Sequence, residues 1–390
     1  MTRVRVPGSL IVVVMLIGAT APRAQQNPGD SAPYAAINRS AIDYSGPDRE
    51  ASRDLAETEI KIGILAPLQG LRKAEGDALV AAAQMAVEDE SAAPLAAGRR
   101  LGLAVRDESG LWGRASSDLV KLVVDDRAIA LITSPDGRAA HLAEQVGNRL
   151  GVPVLSLATD SQNTRINIPW YFRMVPDDAV QARLFAEDIY RTRRLGRVLL
   201  ITEDDHDGRV GREEFEKAAR RLNAPAPVAV GIPALDVSAE SVTPHIKATQ
   251  PPAIVIWASA DTAARVLATL PESSAEIYVC HKGLREPFLS AARKADGIRV
   301  WTASAGTRTD SRDQFDLRFQ SRFGSPITPA AREMYDAVRL IAAGLRESGP
   351  NRARLRDALA ARGEFRGVSG VIAFDGAGNN QAESALIPLR

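Results

Sequence analysis

Residues 60–87, IKIGILAPLQGLRKAEGDALVAAAQMAV, confine the chain to a small set of folds. IKIGIL is a short apolar run with no charge beyond Lys61, which suits a strand covered on both faces. Pro67 ends it, and a polar loop with Gln69, Gly70 and Gly76 follows. From Asp77 the apolar residues fall at Leu79, Ala82, Ala83, Ala86 and Val87, the spacing of one helical face. The same strand, loop and helix recur. Strands are predicted at 100–106, 128–133 and 152–157, with helices at 112–126 and 137–150. YFRMVPDD at 171–178 interrupts the rhythm, and a second set follows with strands at 198–202, 228–231, 253–258, 277–280 and 298–302. Alternation of this kind predicts parallel sheets with helices on both faces, hence an α/β chain of two doubly wound lobes. Ligands of such sheets bind beyond the carboxyl ends of the strands, so the loop carrying Gln69 is a first candidate for a binding site. Near the C-terminus, helices are predicted at 314–323, 330–346 and 352–362, the middle one with Met334, Ala337, Val338, Ile341 and Leu345 as its buried stripe. Residues 371–374 and 385–389 read as a hairpin-like strand pair around a turn at Asp375-Gly376.

A chain of 390 residues is long enough for two such lobes. Its net charge of +1, with arginines and acids spread evenly, leaves no basic stripe for nucleic acid. At the N-terminus Arg3 and Arg5 precede LIVVVMLIGA at 10–19, an apolar run of signal-peptide length with small residues after it. A spanning helix needs about 20 apolar residues, so residues 1–24 read as a cleaved export signal. Residues 25–59, rich in Pro, Ser, Asp, Arg and Ala, read as an extended arm or linker. Cys280 is the only cysteine; it sits in an apolar run, which predicts a buried thiol, and none follows the signal core to accept a lipid. The expectation is a soluble, exported, periplasmic protein without a lipid anchor.

Enzyme signatures are missing. Gly70 and Gly76 are too far apart for a dinucleotide fingerprint, no Gly-Lys pair makes a phosphate-cradling loop, and no G-x-S-x-G presents a serine. The four histidines form no i, i+4 pair. Glu203-Asp204-Asp205-His206-Asp207-Gly208 is the one dense polar cluster, and its spacing fits no calcium loop; a helix-capping loop accounts for it. No catalytic residue, metal or cofactor is therefore assigned. Trp257 and Trp301 lie on predicted strands and read as core, whereas Trp112 lies in a loop beyond a strand and is a candidate to stack on a ligand.

Several stretches together resemble type I periplasmic solute-binding proteins, in particular the Leu/Ile/Val-binding branch serving ABC importers. They are IKIGILAPLQG, LITSPDG at 131–137, GVPVLSLATD at 151–160, FRMVPDDAVQA at 172–182 and SGVIAFDGAGN at 369–379. The resemblance implies two lobes joined by three crossovers that close on a small ligand. It places one lobe at 60–175 plus 304–366 and the other at 176–303 plus 367–390. It also implies a non-enzymatic role, an ABC permease in the inner membrane that receives the ligand, and a monomeric protein. By family position, the ligand carboxylate site falls at Ala158, Thr159 and Asp160, where an acid replaces a hydroxyl donor. The preceding loop's serine falls at Gly137, next to Arg138; an aromatic lid falls at Asp207; the ammonium's acidic partner falls at Lys282. An ammonium facing Lys282 and a carboxylate facing Asp160 would both be repelled. The expected ligand is therefore a small polar metabolite other than an amino acid, with Lys282 and Arg138 toward an anionic or carbonyl group and Asp160 and Asp207 toward its donors. The alternative is a periplasmic sensor or accessory protein in the same fold, docking on a receptor or an exported enzyme system.

Overall fold

The computed structural model describes residues 54–93, 95, 98–165, 168–233, 239–270, 275–295, 297–305, 310–324 and 327–389. The expected signal segment and all of the arm up to residue 53 lie outside the described residues. The first sheet has strand order β2-β1-β3-β4-β5 and is parallel throughout. Its strands are β1 (Glu59–Ala66), β2 (Arg100–Asp107), β3 (Ala130–Thr133), β4 (Val154–Ser156) and β5 (Tyr171–Arg173). Helices α1 (Lys73–Glu90), α2 (Trp112–Val124) and α3 (Gly137–Leu150) connect them. After α4 (Asp178–Ala186) the chain enters a second sheet. It consists of β6 (Val198–Glu203), β7 (Val228–Ile232), β8 (Ala253–Trp257), β9 (Glu276–Val279) and β10 (Arg299–Ala305), with α5 (His206–Arg221), α6 (Ala239–Thr249), α7 (Ala260–Thr269) and α8 (Phe288–Lys294) between them. The chain then returns as α9 (Asp310–Phe323), α10 (Pro329–Ser348) and α11 (Arg352–Ala361) to cover the first sheet, and ends with β11 (Phe365–Arg366), β12 (Val371–Ile372) and β13 (Ser384–Pro388).

Alternation along the strands explains why helices lie on both faces. Ile60, Ile62 and Ile64 of β1 enter a core shared with α1, α10 and α11, whereas Leu65 enters the core under α2 and α3. Gly63 points the same way as Leu65, and a Cβ there would sit 2.8 Å from Leu131. In β8, Ile254 and Ile256 face one core while Val255 and Trp257 face the other. Each such apolar side chain stabilises the fold by roughly 1.5–3 kcal/mol on burial, so a strand buried on two sides anchors both layers. The stripe expected on α10 is buried and packs on α1; Thr328 caps this helix through Ala331 N at 3.2 Å, with Pro329 in its first turn. Cys280 and Trp257 are buried as expected.

The chain passes between the sheets three times, after β5, after β10 and before β13. The first and third passages are tied together: Arg173 N donates to Gly378 O at 2.7 Å and Asn380 Nδ2 to Met174 O at 2.8 Å. The fully buried Arg173 guanidinium holds Asp160 O at 2.5 Å and the Asn379 side chain. Gly378 has φ +79°, and a Cβ there would lie 2.1 Å from Tyr171 O. Gly378→Ala is expected to cost about 2 kcal/mol or more, through left-handed strain and a backbone clash, measured by urea unfolding. An unchanged midpoint would show that the third passage does not press on β5.

The expected hairpin at the C-terminus does not form. β13 runs antiparallel beside β10, pairing Trp301 with Pro388 and Ala305 with Ser384, and β12 pairs instead with β11. β10 offers a free edge in the second sheet, which supplies a longer ladder than the two-residue β12. Val368, Ile372 and Phe374, placed with the second lobe from sequence, pack into the first sheet's core.

Candidate functional site

Six strands bring their carboxyl ends together around one cavity of about 950 Å3. The loops after β1, β2 and β3 supply Gln69, Arg72 and Glu75, then Glu108, Ser109 and Trp112, then Asp136 and Arg138. Opposite them, the loops after β6, β8 and β9 supply Glu203 and Asp205, Ser259 and Asp261, and Lys282 and Arg285. Pro67, Ala74, Ala78, Ala115, Ala139 and Leu142 of the first lobe make an apolar wall.

Local bonds hold these loops in place. Asp107 Oδ1 accepts from Leu68 N at 2.9 Å and Ser109 N at 3.0 Å, and Ser109 Oγ donates to Gln69 O at 3.1 Å. Asp136 caps α3, its Oδ1 accepting from Arg138 N and Ala139 N at 3.0 Å each. Asp205 caps α5 through Gly208 N at 2.7 Å. Ser259 starts α7 and donates to Glu203 at 2.5 Å. Both carboxylate caps follow from the preference of Asp for the position before a helix.

The charges form two knots. In the first lobe one guanidinium, Arg72, meets three carboxyl groups: Glu75 at 3.0 Å, Glu108 at 2.9 Å and Asp136 at 2.9 Å. Burial pushes Glu108 up to about 8, helped by Asp136 and Glu75 and opposed by Arg72 and Ser134. Burial acts the same way on Asp136, but Arg72, Arg138 and Lys282 outweigh it and hold that carboxyl well below the usual range. In the second lobe Lys282 Nζ stands 2.5 Å from Asp205, 3.0 Å from Asp207 and 3.6 Å from Glu203. Against the cost of burial these three acids keep its ammonium charged. Burial raises Asp207 in spite of Lys282, whereas Lys282 keeps Asp205 low.

Contacts between the lobes close the cleft. Arg285 pairs with Glu75, and His206 Nε2 lies 2.7 Å from Asp160 Oδ2. On other sides of the junction His281 meets Glu333 at 3.0 Å, and Arg165 meets Glu214 at 2.6 Å.

Four of the residues singled out from sequence line the cavity: Gln69, Trp112, Arg138 and Lys282. Trp112 is the first residue of α2 and is 52% exposed; Arg138 is exposed at the rim. The other five form the packed junction beneath. Ala158 is fully buried, Thr159 O accepts from Asp178 N at 2.8 Å, and Asp160 caps the short turn at 161–164. Gly137 lets α3 approach α5: a Cβ there would stand 2.2 Å from Asp207 Oδ1. Lys282, expected to face an anionic group, is instead enclosed by carboxylates, and Asp160 faces His206. Arg72, Glu75, Glu108, Asp136, Glu203, Asp205 and Arg285 were not singled out for a ligand. Their signal was present as charged residues at or within nine positions of a strand end.

Two α/β lobes with a cleft between their carboxyl edges define a binding protein of the type I periplasmic class. The chain belongs to the periplasmic binding protein family, whose model matches residues 59–389. Among solved structures it is similar to the branched-chain amino acid transporter substrate-binding protein of Streptococcus pneumoniae in complex with isoleucine. The identity is 20% over 84% of this chain and 95% of that one, with a TM-score of 0.73. A leucine-binding protein from Thermotoga maritima has 16% identity, covering 84% and 94%, with a TM-score of 0.74. An ABC transporter solute-binding protein from R. palustris in complex with benzoate has 19%, covering 85% and 93%, with a TM-score of 0.73. At these identities the likeness is one of fold. No curated protein matches the sequence significantly.

Proposed function

We propose that this chain is the exported solute-binding component of an ABC importer, closing its lobes on a small organic solute and passing it unchanged to an inner-membrane permease. The observation that supports this most is the cavity of about 950 Å3 bounded by loops of both sheets. Its size is near the top of the range for small-molecule sites and equals about thirty water volumes. A free amino acid would fill only a fraction of it. The family's amino-acid contacts are also altered, since Asp160 is engaged by His206 and Lys282 by acids. Gln69, Trp112 and Arg138 are the proposed ligand-facing residues of the original set, and Lys282, held by three acids, frames the cavity beside them. Gly137, Ala158, Thr159, Asp160 and Asp207 act beneath them by setting how closely the lobes meet. Among the described residues no helix is long and apolar enough to cross a membrane.

The test is thermal unfolding of the chain from about residue 25 against amino acids, amides, carboxylates, amines and polyols. A solute at 100 times its Kd adds about 2.7 kcal/mol, a clear shift. Stabilisation by one class supports the reading, and turnover of that compound would replace binding with catalysis. No stabilisation by any class would overturn it in favour of a sensor whose partner is a protein.

A further inference from the structure

Among the described residues the cleft is lined by more carboxyl groups than cations, even though Arg293 outside it pairs with Glu286 at 2.7 Å and Glu108 keeps its proton. Among the described residues, seven carboxyl side chains line it against four cationic ones. All four cations are already engaged: Arg72 and Lys282 by three carboxyl groups each, Arg285 by Glu75, and Arg138 by Asp136 at 3.4 Å. Arg138 is also 62% exposed at the rim, where water screens its charge. Asp261, in the first turn of α7, lines the same cavity and has no ion-pair partner among the described residues. Trp112 lines it too, with half of its surface open. An open indole and carboxylates lining one cavity are the chemistry that holds an organic cation, by charge and by the ring's negative face together. One face of the wall, Ala74, Ala78, Ala115, Ala139 and Leu142, is apolar and suits the body of such a solute.

We propose that the solute is an organic cation, an amine, guanidine or quaternary ammonium on an apolar body, with its charge read by Trp112 and the carboxyl groups of the cleft, Asp261 among them. This rests on the solute-binding reading. Glu108 fits the proposal: burial, helped by Asp136 and Glu75, holds its proton up to about 8, and an incoming cation would favour its charged form. Binding below that pH then releases a proton.

The experiment compares benzylamine, benzoate and benzamide, which share a ring and differ in charge, and adds alkylamines, alkylguanidines and their tetramethylammonium counterparts. Thermal unfolding screens them and calorimetric titration follows any that stabilise. Cations are expected to bind at least about tenfold more tightly than the matched carboxylate, the worth of one ion pair or one cation–π contact. Their affinity rises as pH approaches 8, and the binding heat varies with the buffer's ionisation enthalpy. Trp112→Ala and Asp261→Asn, both away from the packed cores, are each expected to weaken cation binding about tenfold while leaving the unliganded melting point in place. Glu108→Gln is expected to abolish the buffer dependence. Preference for benzoate or benzamide, or cation binding unmoved by both Trp112→Ala and Asp261→Asn, overturns the cation proposal and leaves solute binding standing. Stabilisation by no compound of any charge overturns both.

Discussion

Lys282→Ala is expected to destabilise the fold by about 3–5 kcal/mol, the usual cost of removing one partner from a buried ion cluster. The ammonium is the only cation within 4 Å of Asp205 and Asp207 among the described residues, and it also approaches Glu203. Its loss leaves three carboxyl groups in mutual repulsion at the start of α5, with Asp207 Oδ1 already lacking a hydrogen-bond partner. Adding Asp207→Asn should recover part of the loss, since it removes one of the repelling charges and keeps the side chain's shape. Urea unfolding of the two single variants and the double variant measures the coupling directly. A cost for Lys282→Ala below about 1 kcal/mol would place this ammonium in the class of solvated surface pairs. It would then be free to meet a ligand anion.

Glu108→Gln is expected to stabilise the chain increasingly as pH rises from about 4.5 to about 8. The carboxyl titrates at about 8 in the fold against an ordinary 4.5, because burial opposes its charge. Across that window the folded chain keeps a proton that the unfolded chain has lost. Stability therefore falls by up to about 1.4 kcal/mol per pH unit from this group, and by roughly 4 kcal/mol in all. Glutamine cannot lose the proton, and its amide oxygen can still accept from Arg72 or from Ser134 Oγ. Other raised acids and His206 also titrate here, so the quantity to plot is the difference between wild type and variant. Asp136 and Glu75 do not contribute to it, because Arg72 and, for Glu75, Arg285 hold them low; their stabilisation is lost only as the medium becomes more acid. A flat difference between pH 5 and 8 would mean that water reaches Glu108 freely.

The two variants probe opposite signs of the same design. In each lobe one cation is shared among three acids; in the first lobe these acids follow three different strands, and in the second all three lie at the end of β6 and the start of α5. Together with the interlobe pair of Arg285 and Glu75, this leaves every cation of the cavity engaged and the cavity short of positive charge. That shortage is what the proposed cationic solute would supply.

Local pattern alone was enough to establish the strand-loop-helix repeat, the two sheets, the binding edge and the buried stripe of α10. Each of these depends on residues within a few positions of one another, where hydrophobic period and turn chemistry act directly. Gln69 and Trp112 were found for the same reason, as a polar and an aromatic residue past strand ends, whereas Arg138 and Lys282 came from the family resemblance. The partners of those residues were decided only by tertiary structure. Arg72 meets Asp136 across 64 positions, Lys282 meets Asp205 across 77, and Arg285 meets Glu75 across 210. No periodicity spans such distances, so Lys282 read as a free cation when it is a neutralised one. The choice of β10 as the partner of β13 has the same origin, because an open sheet edge exists only once the other strands have assembled. Ala158, Thr159 and Asp160 passed from ligand loop to packed floor on the same ground: burial belongs to the folded chain, and sequence position alone does not set it.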